Sequence, residues 1–277
     1  MQYAQIPPPT YLKEYIRYFW TLESNGTDLA PKTLGPLADG CPGLIFQPSE
    51  KGLFYEKAHK PLAEIHLYGQ TISRTAIYLI GNFQTIGICF FPNTLKSIFG
   101  FNADELTDSC LDVSVLAQEQ GICLKEQLLN ASSQAEQIEI LSSYLFTQIR
   151  KTAERVDELT HYLLSQIIRS NGKISLRELQ VEVQLSERGF ERRFKQYVGI
   201  SPKLFSRICQ FQASLQQLRS NQYIKLSDVA FDNGYADQSH FIRVFKEFAG
   251  FSPYQFQKQS YQVADHFPAL LHQWKTN

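Results

Sequence analysis

Two stretches of the chain set phenylalanines and cations at spacings that could grip a nucleic acid. FERRFKQYVGISPKLF spans residues 190 to 205 and FIRVFKEFAGFSPYQF spans residues 241 to 256. Eight of the sixteen positions are identical, among them Phe190/Phe241, Arg192/Arg243, Phe194/Phe245, Lys195/Lys246 and Gly199/Gly250, where chance gives about one. Read as a helix capped by Ser186, the first copy puts Phe190 and Phe194 on one face, which must be buried. Arg188, Glu191, Arg192 and Lys195 then occupy the opposite face. Such a helix fits the major groove, with Arg forking onto guanine and Lys holding phosphate. In the second copy Phe241 and Phe245 form the buried face, leaving Gln238, Ser239, His240, Ile242, Arg243 and Lys246 outward or at the rim. A repeated helical hairpin also serves as a protein-binding scaffold, so these residues alone leave two readings open.

The surrounding elements must hold both helices. ISLRELQVEV, opened by Ser175, and LSDVAFDNG place a supporting helix before each copy, with Gly234 allowing the second turn a positive φ. Gln184 takes that place in the first copy, and Gln180 stands where the second has Ala230. Between the copies Leu204, Phe205, Ile208, Phe211, Leu215 and Leu218 lie along one long helix, a rigid strut. Ahead of both, Leu159, Leu163, Leu164, Ile167 and Ile168 form an apolar stripe ending at Asn171-Gly172.

The first half reads differently. GLIFQP (43 to 48), TAIYLIGNF (75 to 83) and TIGICFFP (85 to 92) are strand-like, the last two joined as a hairpin through Gly81-Asn82. Leu12, Ile16 and Phe19 sit at helical spacing, which predicts a short helix over YLKEYIRYFW. Tyr11, Tyr15, Tyr18, Phe19 and Trp20 read as core rather than a pocket lining. From about residue 113 the period is helical, and Ile138, Leu141, Leu145 and Ile149 mark a face that either contacts a second copy or covers its own sheet.

Net charge is zero over 277 residues, but the halves differ. Residues 1 to 150 hold ten Lys and Arg against fifteen Asp and Glu, and the remainder seventeen against twelve. Only the second half suits a polyanion. The start MQYAQIPPPTYLKEYIRYFW has no signal-peptide pattern and no run is long enough to span a membrane, so no membrane partner and a cytoplasmic location are expected. Five scattered cysteines, Cys41, Cys89, Cys110, Cys123 and Cys209, read as reduced and mostly buried thiols. His59 and His66 are the only histidines before residue 161 and form no metal motif. Asp39 and Glu64 stand apart, and no phosphate loop or nucleophile elbow is present. No catalytic residue, metal or cofactor is therefore expected, and the chain reads as no enzyme; the rival is a cupin-type enzyme or small-molecule-binding protein with an accessory helical domain.

GYADQSHFIRVFKEFAGFSP, with LSERGFERRFKQYVGISPKLF, resembles the AraC/XylS family of bacterial transcription regulators over about residues 155 to 257. Gln180 and Gln184 depart from the family's usual Ala and Gly. The resemblance implies a homeodomain-like, all-α double helix-turn-helix domain whose Arg188, Glu191, Arg192, Gln238, Ser239, His240, Ile242 and Arg243 face double-stranded DNA. PPPTYLKEYIRYFW, LADGCPGLIFQP and FFPNTLKSIFG are similar to the N-terminal domain of a regulator subgroup, implying a cupin-like, mainly β sensor or dimerisation domain and an α+β chain overall. The expected layout is 1–150 for that domain, 155–260 for the DNA-binding domain and 261–277 as a tail. Besides DNA, the resemblance allows a small-molecule effector, a homodimer and RNA polymerase as partners; no ligand-binding residue is named.

Overall fold

The computed structural model describes residues 2–24, 32–34, 38–48, 53–55, 62–72, 77–80, 82–152, 154–221 and 223–259. His59, Gly81 and the tail of 261 to 277 lie outside them. The first half holds β1 (Gln2–Ile6), β2 (Ile16–Ser24), β3 (Lys32–Leu34), β4 (Gly43–Phe46), β5 (Leu53–Tyr55), β6 (Ile65–Tyr68), β7 (Ile77–Ile80), β8 (Phe83–Phe90) and β9 (Cys110–Asp112). They form a six-stranded sheet, β1-β2-β8-β4-β6-β9, and a three-stranded sheet, β3-β7-β5, with antiparallel pairing throughout. Helices α1 (Leu95–Phe99), α2 (Val113–Glu119), α3 (Leu124–Asn130) and α4 (Gln134–Thr152) follow.

Two expectations fail here. The segment from Ile16 is strand β2, and only Thr10–Leu12 is helical, as a single 3-10 turn. The pairing steps from Ile16↔Phe90 to Tyr18↔Cys89, so Arg17 is an extra, bulged residue. That insertion sets Ile16 and Phe19 three apart on one sheet face, which imitates helical spacing. The predicted hairpin also fails, because β7 pairs with β3 and β5 whereas β8 pairs with β2 and β4. Strands β7 and β8 belong to different sheets.

The inner strands β2, β4, β6 and β8 are buried on both faces, whereas the edge strands β1 and β9 are not. Phe19, Leu44, Phe46, Ile86, Ile88 and Phe90 point into a core closed by Leu95, Ile98, Leu141 and Leu145. The apolar face of α4 is thereby used inside its own half, which favours covering its sheet over the dimer contact. The opposite sheet face, with Tyr18, Trp20, Ile45 and Cys89, joins a second core continuous with the helical half.

That half comprises α5 (Glu158–Arg169), α6 (Leu176–Glu182), α7 (Glu187–Val198), α8 (Pro202–Arg219), α9 (Leu226–Asp232), α10 (Gln238–Ala249) and α11 (Pro253–Gln259). Two seams bind it to the sheet. Thr107 Oγ1 donates to the Gly199 carbonyl at 2.7 Å, and Gln212 Nε2 donates to the Ala38 carbonyl at 2.6 Å. Gly199 has φ +93 and would set a Cβ 3.0 Å from the Ala103 carbonyl oxygen, so a side chain there is disfavoured by conformation and by contact.

His66 is buried, its Nδ1 2.9 Å from the Ala63 carbonyl, which fits a neutral ring protonated at Nδ1. Burial holds its pKa below the ordinary histidine value, outweighing the Ala63 hydrogen bond and Asp112. An unfolded ring protonates near pH 6.5, so this contribution to stability is complete above that value and is lost as pH falls below it. Denaturant midpoints measured from pH 7.5 to 5 should therefore decline, and His66→Gln should decline less.

Candidate nucleic-acid interface

Both helical hairpins hang on α8. Ser201 caps it, accepting from the Leu204 amide at 3.1 Å, and Pro202 opens it. Phe205, near its start, packs on Phe194 at 5.7 Å between ring centroids, and Phe194 on Phe190 at 6.2 Å. Phe211, farther along, packs on Phe245 at 5.3 Å and Phe248 at 5.4 Å, with Phe241 and Phe256 completing the cluster around Phe245. Each buried Phe contributes about 1.5 to 3 kcal/mol. The first hairpin is thus anchored near the start of the strut and the second at its middle.

Two caps agree with the expected ones, Ser175 accepting from Glu178 and Ser186 from Gly189. Asp237, not named from the sequence, caps α10 by accepting from His240. Gly199 and Gly250 end α7 and α10 with left-handed backbones. Gln184 has φ 54 where Gly234 has φ 74, so the first turn keeps the second's shape at a non-glycine residue. Gln180 supports it by donating through Nε2 to the Leu185 carbonyl at 2.9 Å. The supporting helices begin at Leu176 and Leu226 but the following helices at Glu187 and Gln238, so the second turn is one residue longer.

Arg188, Arg192 and Lys195 are exposed and Glu191 is half-buried, one face of α7 at spacings of three and four. On α10, Gln238, Ser239, Arg243 and Lys246 are exposed. Ile242 is half-buried against the core, and His240 is half-buried with its ring edge-on to Tyr235 at 5.5 Å. Repeat partners share their environment: Arg192 with Arg243, Lys195 with Lys246, Glu191 with Ile242. Not every cation serves this face. Arg193 forks onto Asp157, the cap of α5, and Arg207 reaches Glu247 at 2.6 Å, tying α8 to α10. Although burial opposes it, the Arg193 contact with the Thr160 hydrogen bond keeps the Asp157 carboxyl below its ordinary value.

The sequence reading missed the polar link from α8 to the sheet. Its signal was Gln212, buried among Phe211, Ala213 and Leu215 on a strut read only for apolar residues. It also missed that Arg17, Asp39, Cys41 and Cys89 meet. Glu64, read as isolated, pairs with Lys125 at 2.5 Å. Cys110 and Cys123 are exposed and the other three thiols are buried. No helix among the described residues is long and apolar enough to cross a membrane.

Residues 180–259 match the model of a helix-turn-helix domain, and residues 4–112 that of a domain of unknown function (DUF6597). Over 74 residues, 27% of this chain, 34% are identical to an uncharacterized HTH-type transcriptional regulator of Haemophilus influenzae. The match spans 24% of that relative's length. Among solved structures, ToxT from Vibrio cholerae aligns with a TM-score of 0.49 at 14% identity, over 87% of this chain and 98% of that one. A probable AraC family transcriptional regulator from Rhodopseudomonas palustris aligns with a TM-score of 0.35 at 19% identity, over 38% and 98%.

The left-handed backbone at Gln184 costs a non-glycine residue about 1 to 2 kcal/mol, partly offset in a Gly variant by greater freedom when unfolded. Gln184→Gly should therefore stabilise the chain by about 0.5 to 1 kcal/mol in urea unfolding, an upward shift in midpoint with unchanged slope.

Proposed function

We propose that this chain, whose residues 180–259 match a helix-turn-helix domain, is an AraC-family, sequence-specific transcriptional regulator whose α7 and α10 enter adjacent major-groove turns of one DNA duplex. The observation that carries this reading is the matched exposure of Arg192 and Arg243, and of Lys195 and Lys246, on two helices held by one strut. A helix reads only a few base pairs, so a second on a fixed spacer multiplies specificity. Arg188, Arg192, Gln238, Ser239 and Arg243 are assigned to bases, Lys195 and Lys246 to phosphates. Glu191, His240 and Ile242, half-buried at the rim, are assigned to shaping the contact and to apolar contact with thymine methyls.

The first half, in this reading, carries the effector response. It supports that role by burying polar side chains where it meets α8: Arg17, Gln70 and Gln212 are almost fully enclosed beside the loop of residues 38 to 41. The seams at Gly199 and Ala38 give such a response a route to both reading helices.

The test uses the full chain and a pool of randomised duplexes. Selected sequences should hold two short elements about one helical turn apart, and affinity should fall by about 10³ or more from 50 to 200 mM salt. Arg243→Ala should relax preference at one base pair by about 1 to 3 kcal/mol, whereas Lys246→Ala should weaken all sequences alike and reduce the salt slope by about 1. Equal losses on every operator variant for both would sink the assignment, and the absence of selectable sequences would sink the function.

A further inference from the structure

Three side chains able to ligate a metal meet at the sheet face that packs toward α8. Ligand atoms of Asp39, Cys41 and Cys89 all lie within 4.8 Å of one another, with both thiols buried. A tetrahedral ion bound by sulfur at about 2.3 Å and oxygen at about 2.0 Å sets its ligand atoms about 3.5 to 3.8 Å apart. The cluster therefore needs to contract by only about 1 Å.

Two backbone segments hold the ligands, the loop carrying Asp39 and Cys41 and the strand carrying Cys89. Asp39 Oδ1 accepts from the Cys41 amide at 3.0 Å, and Gln70 Nε2 donates to the Gly40 carbonyl at 2.7 Å, which together shape the loop. Cys89 stands in β8, paired to β2 on one side and β4 on the other. The bulge in β2 aims Arg17 at the same point, its Nη1 3.1 Å from Cys41 Sγ and 3.8 Å from Cys89 Sγ. Neutral thiols are weak acceptors for so costly a buried cation, and metal-bound thiolates are strong ones.

We infer that Asp39, Cys41 and Cys89 bind a thiophilic divalent ion of the zinc class, with Arg17 donating to the bound sulfurs. Binding exchanges two thiol protons for one ion, M²⁺ + 2 RSH → M(SR)₂ + 2 H⁺, so the net charge of the pocket does not change. Two thiolates and a carboxylate then balance the ion and the guanidinium. Sulfur donors select against magnesium and calcium, and three protein ligands leave one tetrahedral position for water or a small anion. Asp39, the least buried of the three, is the ligand an incoming ion meets first. The expectation of no metal rested on short-range histidine and cysteine spacing, which does not detect thiols distant in sequence.

The site also has a mechanical outlet. Ala38, adjoining Asp39, accepts the Gln212 hydrogen bond from the middle of α8. On the regulator reading proposed above, on which this step alone rests, drawing the loop toward β8 acts on the strut that carries both reading helices.

The probe is cobalt(II) added to the reduced, chelator-treated full chain. One equivalent should bind, with thiolate-to-cobalt charge transfer in the near ultraviolet and intense tetrahedral bands in the visible. Zinc should displace it and magnesium should not. Cys41→Ser and Cys89→Ser should each abolish the charge-transfer band expected of this pair, and Arg17→Gln should weaken binding by about 10- to 100-fold. Should the serine variants misfold, protection of Cys41 and Cys89 from alkylation by zinc in the unaltered chain gives the same answer. Absence of the bands, their persistence in a Cys41→Ser/Cys89→Ser chain, or alkylation unaffected by zinc would overturn the site. Gln212→Ala should keep the cobalt spectrum while losing any zinc effect on DNA affinity. DNA binding without the cobalt spectrum refutes the metal site and spares the regulator; the spectrum without DNA binding does the reverse.

Discussion

Everything in the second half depends on one helix having two aromatic sockets. Phe205 and Phe211 are six residues apart on α8, and each anchors a separate ring cluster, one centred on Phe194 and the other on Phe245. Because both anchors belong to the same rigid rod, the relative placement of α7 and α10 follows from helix pitch. Neither hairpin could bury its phenylalanines alone. Short helices such as α6 and α9, seven residues each, are marginal by themselves and exist because they pack.

The strut is also where the halves of the molecule meet. Its polar residue Gln212 is enclosed among apolar neighbours and satisfied by a carbonyl of the sheet half, so separating the halves would strand a buried amide. The second contact, at Gly199, uses the end of α7 itself. The continuous core across the sheet face containing Trp20 and Ile45 makes these contacts part of the fold rather than a loose interdomain touch.

Legibility in the sequence followed the range of the interactions. In the helical half, caps, turns and burial are set by residues within a few positions, so the caps Ser175 and Ser186 could be read directly. The sheet half was harder, since strands buried on both faces lose their alternation. At Arg17 the bulge added a residue that made Ile16 and Phe19 look helical. Strands β7 and β8 looked like a hairpin because neighbouring strand-like runs give no sign of which sheet each joins. Exposure of Arg188, Arg192, Lys195, Gln238, Ser239, Arg243 and Lys246 was predictable from helical period, whereas the meeting of Arg17, Asp39, Cys41 and Cys89 depends on strand register and left no local trace.

The extra residue in the second turn means that the two hairpins, though cut from one pattern, are not superimposable copies. Arg188 in one corresponds to Ser239 in the other, and Glu191 to Ile242. A molecule with such a front and back has no internal two-fold axis to match a palindrome. On the regulator reading proposed above, a single chain would lie along a duplex in one polarity only, and whatever the sheet half touches would always stand on the same side, upstream or downstream, of the bases being read.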